Sequence, residues 1–234
     1  MVKKDEKVAA IVENYACQVR QSMEKVIGEA TLDLNADNAR SSESNLGNLV
    51  ADIIKKESGA EAAIINGGGL RTSILKGPVT VGNIYSVLPF NNYIIAIRLT
   101  GQQIKDALEY GLSGIEAKEG RFPQVSGIYF TFSPTRETGR RVGTITIGGG
   151  PVELSRQYTV ATNDFLAAGG DGYQMFREAI RQASDFEIIG GTIKSSNIAY
   201  NDAGRWLRDV VAAEVQKEKK IGSAVEGRIR TEGE

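Results

Sequence analysis

Apolar residues recur at helical spacing near the start of the chain. Between residues 5 and 27 they stand three or four positions apart, at Val8, Ile11, Val12, Tyr15, Val19, Met23 and Val26. This spacing places them on one stripe of an amphipathic helix, which Gly28 would end. Helical spacing resumes over 46–54, after a serine-rich stretch that offers N-caps, and Ser58-Gly59 closes this second helix.

The rest of the chain mixes strand-like and helix-like patterns. Apolar or β-branched runs predict strands at 62–65, 93–99, 127–132, 142–147, 157–162 and 186–189. Helical spacing predicts helices over 81–87, 101–112, 170–181 and 202–217. Helices and strands alternate early, whereas strands follow one another as hairpins later. We therefore expect an α+β fold, a single domain in which a mixed β-sheet is flanked by helices.

Composition excludes several kinds of protein. The 234 residues include 28 basic and 29 acidic side chains, a balance that excludes a globally basic protein that binds nucleic-acid polymers. No apolar run approaches the roughly 18–20 residues of a membrane-spanning helix, so we expect no membrane insertion. The first residues, Met1 to Glu6, lead directly into the amphipathic stretch, and we expect no signal peptide.

The chain contains no histidine. This absence excludes catalysis by Ser-His-Asp or Cys-His, the HExxH zinc motif and any metal site with an imidazole ligand. A purely carboxylate metal site or a carboxylate acid–base pair remains open, and Asp164 with Asp171 are the candidates for the pair.

Four loop segments carry the candidate chemistry, each with an ordinary alternative. In the glycine-rich run 66–71, Arg71 could grip an anion or lie on the surface of a plain turn. In the segment 163–173, Phe165 could stack on a flat ring or belong to the core, and Asp171 could accept hydrogen bonds from ribose or cap a helix. Phe90 follows a proline and precedes two amides, and could be core or half of a stacking clamp. Arg40 precedes a helix N-terminus, which favours an anion.

Taken in order, these segments resemble one known family. They are RSSESNLGNLVAD, INGGGLR, LPFNN, GRFPQVSGI, NDFLAAGGDGY and the closing AVEGRI. The set is similar to the C-terminal domain of the 5′-nucleotidase family, which includes UDP-sugar hydrolases and 2′,3′-cyclic-nucleotide phosphodiesterases. The resemblance covers nearly the whole chain. It implies a lead-in helix over 1–30, which connects two domains in the parent protein, and a nucleotide-binding domain over 31–230.

The resemblance also implies a role for each candidate residue. Phe90 and Phe165 match the two aromatic residues that sandwich the base, and Asp171 matches the aspartate that takes the ribose hydroxyls. Arg40 and Arg71 match the arginines on the phosphate and sugar side. Asn66 matches an asparagine beside the base, and Gly68 lies in the glycine run that lets backbone crowd the ligand. The sequence departs from the family at Asn91-Asn92, where relatives often have glycine.

In that family an N-terminal metallophosphoesterase domain holds two divalent metal ions and hydrolyses the substrate. Such a domain needs histidines and roughly 300 residues of its own, and this chain has neither. We therefore expect no catalytic residue, no metal ligand and no cofactor here, and no hydrolysis by the chain alone. The expected partners are a nucleoside or nucleotide and the N-terminal domain, in a parent protein exported to the periplasm, cell wall or cell surface. A stand-alone nucleotide-binding module is the alternative.

Overall fold

The computed structural model describes residues 5–233, so the predictions for Met1 to Lys4 lie outside it. Over the described range the helices are α1 (Glu6–Met23), α2 (Asn45–Ser58), α3 (Val81–Val87), α4 (Gly101–Leu112), α5 (Asp164–Ala167), α6 (Gln174–Arg181) and α7 (Leu207–Glu218). The strands are β1 (Val26–Ala30), β2 (Ala62–Asn66), β3 (Gly77–Thr80), β4 (Ile94–Thr100), β5 (Pro123–Ser126), β6 (Ile128–Phe132), β7 (Val142–Ile147), β8 (Gly150–Pro151), β9 (Gln157–Asn163), β10 (Glu187–Ile189), β11 (Thr192–Lys194), β12 (Ile198–Asn201), β13 (Lys220–Ile221) and β14 (Ile229–Thr231).

A five-stranded sheet forms the centre of the molecule. Its strand order is β12-β4-β9-β2-β5. Strands β2 and β9 run parallel, and the other neighbours are antiparallel. The prediction of an α+β fold with a mixed sheet between helices is thereby confirmed.

Both faces of this sheet are buried, which explains why β2 is an unbroken apolar run. Successive side chains of a strand point to opposite faces. Ala63 and Ile65 accordingly join a core with α2, α3 and α7, while Ala62 and Ile64 join a second core with α4 and α6. The sheet β14-β6-β7-β8 closes that second core. A strand buried on both faces has no need of alternating polar residues.

The helix boundaries follow from capping. Ser44 Oγ accepts a hydrogen bond from the Gly47 N–H at 3.1 Å and starts α2, which ends at Gly59 in the left-handed region with φ 65°. Thr100 and Gln103 form a reciprocal capping box at the start of α4. The helices predicted over 46–58, 81–87 and 101–112 are confirmed within a residue.

The predicted end of the first helix is wrong. Helix α1 ends at Met23, and both Val26 and Gly28 belong to β1, which pairs with β3 and β13. Gly28 is needed for packing, because a Cβ there would lie 2.8 Å from Val215 Cγ1. The domain boundary at residue 30 stays a prediction.

Later predictions needed smaller corrections. The helix predicted over 170–181 is a 3₁₀ turn, Gly170–Gly172, followed by α6, and the one predicted from 202 starts at Leu207. Short edge strands such as β5 and β12 have partners far away in the chain and were not predicted.

Helix α1 lies on the outside of the fold, and none of its residues is buried. Its stripe residues Val8, Ile11, Val12, Tyr15 and Val19 are 56–64% exposed. Within residues 5–233, no helix combines the length and apolar character needed to cross a membrane.

Candidate functional site

A cleft opens where β2 and β9 end. These strands are parallel neighbours that end at Asn66 and Asn163, and the loops after them form its walls. Ligands commonly bind beyond the carboxyl ends of sheet strands. The cleft has a volume of about 330 Å³. It is lined by Arg40, Asn66, Gly68, Gly69, Arg71, Phe90, Asn92, Gly120, Phe165 and Asp171. The seven candidate residues, from four separate segments, thus surround one cavity.

One polar pair joins the two strand-end loops. Asn66 Nδ2 donates a hydrogen bond to Asp171 Oδ2 at 2.7 Å. Asn66 is buried and Asp171 is partly exposed, and both line the cleft. A charge-assisted bond of this kind fixes the direction of the carboxylate.

Asp171 is held in an unusual backbone conformation. Its φ of 49° lies in the left-handed region, which a non-glycine residue seldom adopts. The turn rests on Tyr110, because a Cβ at Gly172 would lie 1.8 Å from the Tyr110 hydroxyl. Below it, the buried Tyr173 hydroxyl donates to the Arg121 carbonyl at 2.6 Å. Burial, and then the negative charge of Asp171, raise the pKa of Tyr173, which therefore stays neutral.

Two phenylalanines face the cleft with much of their surface in solvent. Phe90 is 49% and Phe165 is 43% exposed, so neither is a core residue. Within residues 5–233, neither ring contacts another aromatic ring. The Phe165 ring packs on Gly170, where a Cβ would lie 2.6 Å from the ring carbons. Exposed aromatic faces on a cavity wall are available for stacking on a flat ligand.

Arg208 holds the loop that carries Phe90, and the sequence analysis missed it. From α7 its Nη1 donates to the carbonyls of Pro89 at 3.1 Å and Phe90 at 3.2 Å, and its Nη2 donates to Asn91 Oδ1 at 2.6 Å. The guanidinium lies 4.7 Å from the centre of the Tyr85 ring, in cation–π geometry. The sequence shows only an arginine in a predicted helix, 117 or more residues from the loop that it holds, and nothing in the sequence joins the two.

Gln124 holds the loop that carries Arg40, and it was also missed. Its buried Nε2 donates to the carbonyls of Ala39 at 2.9 Å and Ser42 at 2.7 Å. Its Oε1 accepts from the Ser44 N–H at 2.9 Å. One side chain on β5 therefore satisfies three backbone groups of the loop that precedes α2.

The two arginines of the cleft carry charges that no carboxylate neutralises within residues 5–233. Arg71 Nη1 donates to the Gly68 carbonyl at 3.2 Å, which directs the guanidinium along the glycine turn. Arg40 is half-buried, and Arg71 is exposed. Unpaired guanidiniums at a cleft favour an anionic ligand.

The glycines of the run 66–71 are required for another reason than the expected approach of backbone to a ligand. A Cβ on Gly67 would lie 1.8 Å from the Ala39 carbonyl oxygen, and one on Gly68 would lie 2.6 Å from Gly120 Cα. Gly68 N–H also donates to the Gly120 carbonyl at 2.8 Å. These glycines are required because protein backbone approaches them closely. Gly68 still lines the cleft.

Asp164 does not share the cleft with Asp171. Its side chain lines a separate cavity on the other side of α5, where its Oδ1 accepts from the Tyr93 N–H at 3.0 Å. Burial raises the pKa of Asp164. The carboxylate pair proposed from the sequence as an acid–base catalyst therefore has no common site.

The described residues also do not fit a metal centre. Nowhere in residues 5–233 do three histidine, cysteine, aspartate or glutamate side chains gather around a point that could hold an ion. Asp171, the one carboxylate among the described residues that line the cleft, already bonds Asn66.

Fold and cleft together define an α+β domain whose cleft offers two aromatic rings, a carboxylate and two guanidiniums. A family model described as "5′-nucleotidase, C-terminal domain" matches residues 26–178. The chain belongs to the 5′-nucleotidase family and is a C-terminal domain of it. This confirms the resemblance found in the sequence. The family is one of hydrolases, and this chain holds only its C-terminal domain.

Individual relatives agree with this assignment. Trifunctional nucleotide phosphoesterase protein YfkN of Bacillus subtilis (strain 168) is 45% identical over 179 residues, which cover 71% of this chain and 12% of that protein. The 5′-nucleotidase of Homo sapiens is 29% identical over 220 residues, 85% of this chain and 35% of that protein. The solved 5′-nucleotidase precursor from Thermus thermophilus matches with a TM-score of 0.80 and 34% identity, over 100% of this chain and 44% of its own. The chain thus spans less than half the length of these relatives.

Proposed function

We propose that this chain recognises the nucleoside or nucleotide substrate of a metal-dependent 5′-nucleotidase-type phosphohydrolase. The observation that carries the proposal is the cleft, in which two half-exposed phenylalanines, one carboxylate and two unpaired arginines surround about 330 Å³. That volume is at the small end of the range for small-molecule sites, as suits a mononucleotide.

The base lies between Phe90 and Phe165. Stacking on an aromatic side chain contributes about 1–3 kcal/mol per base and depends little on base identity. Asn66 lies beside the stacked ring. One N–H of its Nδ2 is committed to Asp171, so the amide oxygen can accept a hydrogen bond from the base and the second N–H can donate one. Such a site selects nucleotides as a class more than one base.

The sugar and phosphate lie toward the charged side chains. Asp171 Oδ2 holds Asn66, and Oδ1 accepts hydrogen bonds from the ribose hydroxyls. Arg40 and Arg71 hold the phosphate side, because planar guanidiniums match the geometry of phosphate oxygens.

Hydrolysis belongs to another part of the parent protein, an N-terminal metallophosphoesterase domain with two divalent metal ions. The absence of histidine from this chain and its partial coverage of the relatives support this division of labour. We propose that the parent is exported. The alternative, a stand-alone binding module, is distinguished by the reading frame upstream: a metallophosphoesterase domain encoded in frame before Met1 excludes it.

Calorimetric titration of the purified chain with AMP, UMP and adenosine tests the proposal. We expect all three to bind at up to millimolar concentration, with similar affinities for AMP and UMP. No detectable heat of binding with any of them would contradict the function. Incubation of AMP with the chain and Mn²⁺ should release no phosphate, and metal-dependent release would contradict the assignment of hydrolysis to another domain.

Arg71→Ala tests whether Arg71 contacts the phosphate of the ligand or its nucleoside part. We expect AMP binding to weaken by about 1.5–3 kcal/mol, the value of a hydrogen bond to a charged group, and adenosine binding to change little. Arg140→Ala, which removes an exposed arginine outside the cleft, is the matched control and should alter neither. Equal losses for AMP and adenosine in Arg71→Ala would remove its phosphate role.

A further inference from the structure

A second cavity lies on the opposite side of the short helix α5 from the cleft. Its volume is about 560 Å³, within the usual range for small-molecule sites. Helix α5 separates the two spaces, since Phe165 lines the cleft while Asp164 and Ala167 line the second cavity. The remaining walls come from α6, the sheet strands β4 and β12, and the hairpin β10–β11.

The walls of this cavity are largely apolar. Ile95 and Ile198 line it from the sheet, and Ile180 lines it from α6. The hairpin contributes Ile188 and Ile193, which are direct cross-strand partners and point to the same face. These two side chains remain 60% and 45% exposed. An apolar ligand in the cavity would cover them, which is favourable because apolar surface leaves water.

The polar groups at the cavity favour negative charge. Arg177 and Arg181 stand four residues apart on α6, so both lie on the same side of the helix and both line the cavity. Neither guanidinium has an ion pair or hydrogen bond within residues 5–233. Asp164 is the one carboxylate among the lining residues, and its Oδ1 is bonded to the Tyr93 N–H. Two unpaired cations against one carboxylate leave a net positive charge.

We propose that this cavity is a second ligand site, which takes a small amphipathic acid with an apolar body and one carboxylate. The body contacts the isoleucines of the sheet and of the hairpin, and the carboxylate pairs with Arg177 and Arg181. Guanidinium groups bind carboxylates through paired hydrogen bonds. Nucleotides belong in the cleft, where two phenylalanines are half exposed. The aromatic residues of the second cavity, Tyr93 and Phe186, are partly buried, and its exposed apolar side chains are the isoleucines of the hairpin. This site does not depend on the function proposed for the cleft.

Calorimetric titration with decanoate, kept below its micelle-forming concentration, tests the proposal on the full chain. We expect binding to the parent sequence and a loss of about tenfold or more in the double variant Arg177→Gln/Arg181→Gln. The control Arg136→Gln/Arg140→Gln removes two exposed arginines from the β6–β7 loop, of which Arg136 is ion-paired with Glu232, and should bind as the parent does. Decanol, which has the same chain and no charge, should bind at least about tenfold more weakly than decanoate.

A second variant keeps the charges and removes the apolar contacts. In Ile188→Ser/Ile193→Ser both changed side chains are exposed, so the fold should persist, and decanoate should bind several-fold more weakly. Saturating AMP should not displace decanoate. Equal affinity in the arginine variant, displacement by AMP, or binding to phosphatidylglycerol vesicles without binding of the free acid would each overturn the proposal.

Discussion

The exposure of Phe165 decides what its removal should do. The ring is 43% exposed and packs on Gly170, so Phe165→Ala removes less buried area than the truncation of a core phenylalanine would. We expect adenosine binding to weaken by about 1–3 kcal/mol, the contribution of one stacked face, while the domain stays folded with a modest fall in melting temperature. Calorimetric titration and a thermal melt measure the two quantities. Tyr129→Ala, at an exposed ring on β6, is the control. Unfolding of Phe165→Ala would show that the ring is a core element.

Asp164 gives a pH dependence with a definite sign. Burial raises its pKa above the ordinary 3.8, so the folded state holds the proton more tightly than the unfolded state does. Ionisation of Asp164 therefore destabilises the folded state. This destabilisation is absent below pH 3.8 and grows as the pH rises through the pKa of the folded state. Asp164→Asn stays neutral, and its amide oxygen can still accept from the Tyr93 N–H. We therefore expect Asp164→Asn to gain stability relative to the parent as the pH rises.

Melting temperatures of the parent and Asp164→Asn, measured at intervals between about pH 3.5 and 7, check this expectation. Asp106→Asn, at a carboxylate whose one side-chain hydrogen bond is to Gln102 on the helix surface, serves as the control. A melting temperature for Asp164→Asn that falls relative to the parent as the pH rises would contradict the sign.

The sequence indicates which chemistry a single residue can perform, but not which groups surround that residue in the fold. The sequence offered Phe165 as either a core or a stacking residue, and the choice depends on which side of α5 faces the cleft. That orientation is set by the pairing of β2 with β9, about a hundred residues apart. The glycines were recognised as special, yet the groups that crowd them, such as Gly120 against Gly68, lie far away in the chain.

At the scale of elements, α7 holds the loop that carries Phe90 through the hydrogen bonds of Arg208. Arg208→Ala removes three hydrogen bonds to residues 89–91 without touching the cleft itself. We expect adenosine affinity to fall by about 1 kcal/mol because the Phe90 ring must then be ordered on binding. Calorimetry measures the change. Arg205→Ala, which breaks exposed ion pairs with Glu57 and Asp202 in the same segment, is the control and should leave the affinity unchanged.

An unchanged affinity in Arg208→Ala would show that the 88–92 loop keeps its conformation without the arginine. Equal losses in Arg208→Ala and Arg205→Ala would point to a general weakening of α7.

Elements with their own local signals were predicted, and those that depend on distant partners were not. Helices α2 and α4 carry caps and apolar faces within their own sequences. Strand β1 continues the three-residue spacing of the preceding helix through Val26, so periodicity alone extends that helix. The segment forms a strand because it pairs with Gly77 to Thr80 on one side and with Lys220 on the other.

At the scale of the whole molecule, α1 should be separable from the remainder. None of its residues is buried, so little apolar contact is lost when residues 1–22 are removed. We expect the melting temperature to change by no more than about 2 °C, and calorimetry measures it. Removal of residues 226–234 is the contrast: it takes away β14 and the buried Arg228, which pairs with Asp52, and should unfold the domain. A large loss on removal of residues 1–22 would show that α1 belongs to the folded unit.

The position of β9 in the central sheet has a consequence for the synthesis of the chain. Strand β9 lies between β4 and β2, and no other strand joins those two within the described range. Strand β5 can pair with one edge of β2 earlier, but until residue 163 has left the ribosome the other edge of β2 and the facing edge of β4 stay unpaired. Unpaired edges of apolar strands favour aggregation of nascent chains. We expect fragments that end before Gln157 to need a chaperone. Addition of the β9 segment should complete the sheet, and the cleft should form in the same step.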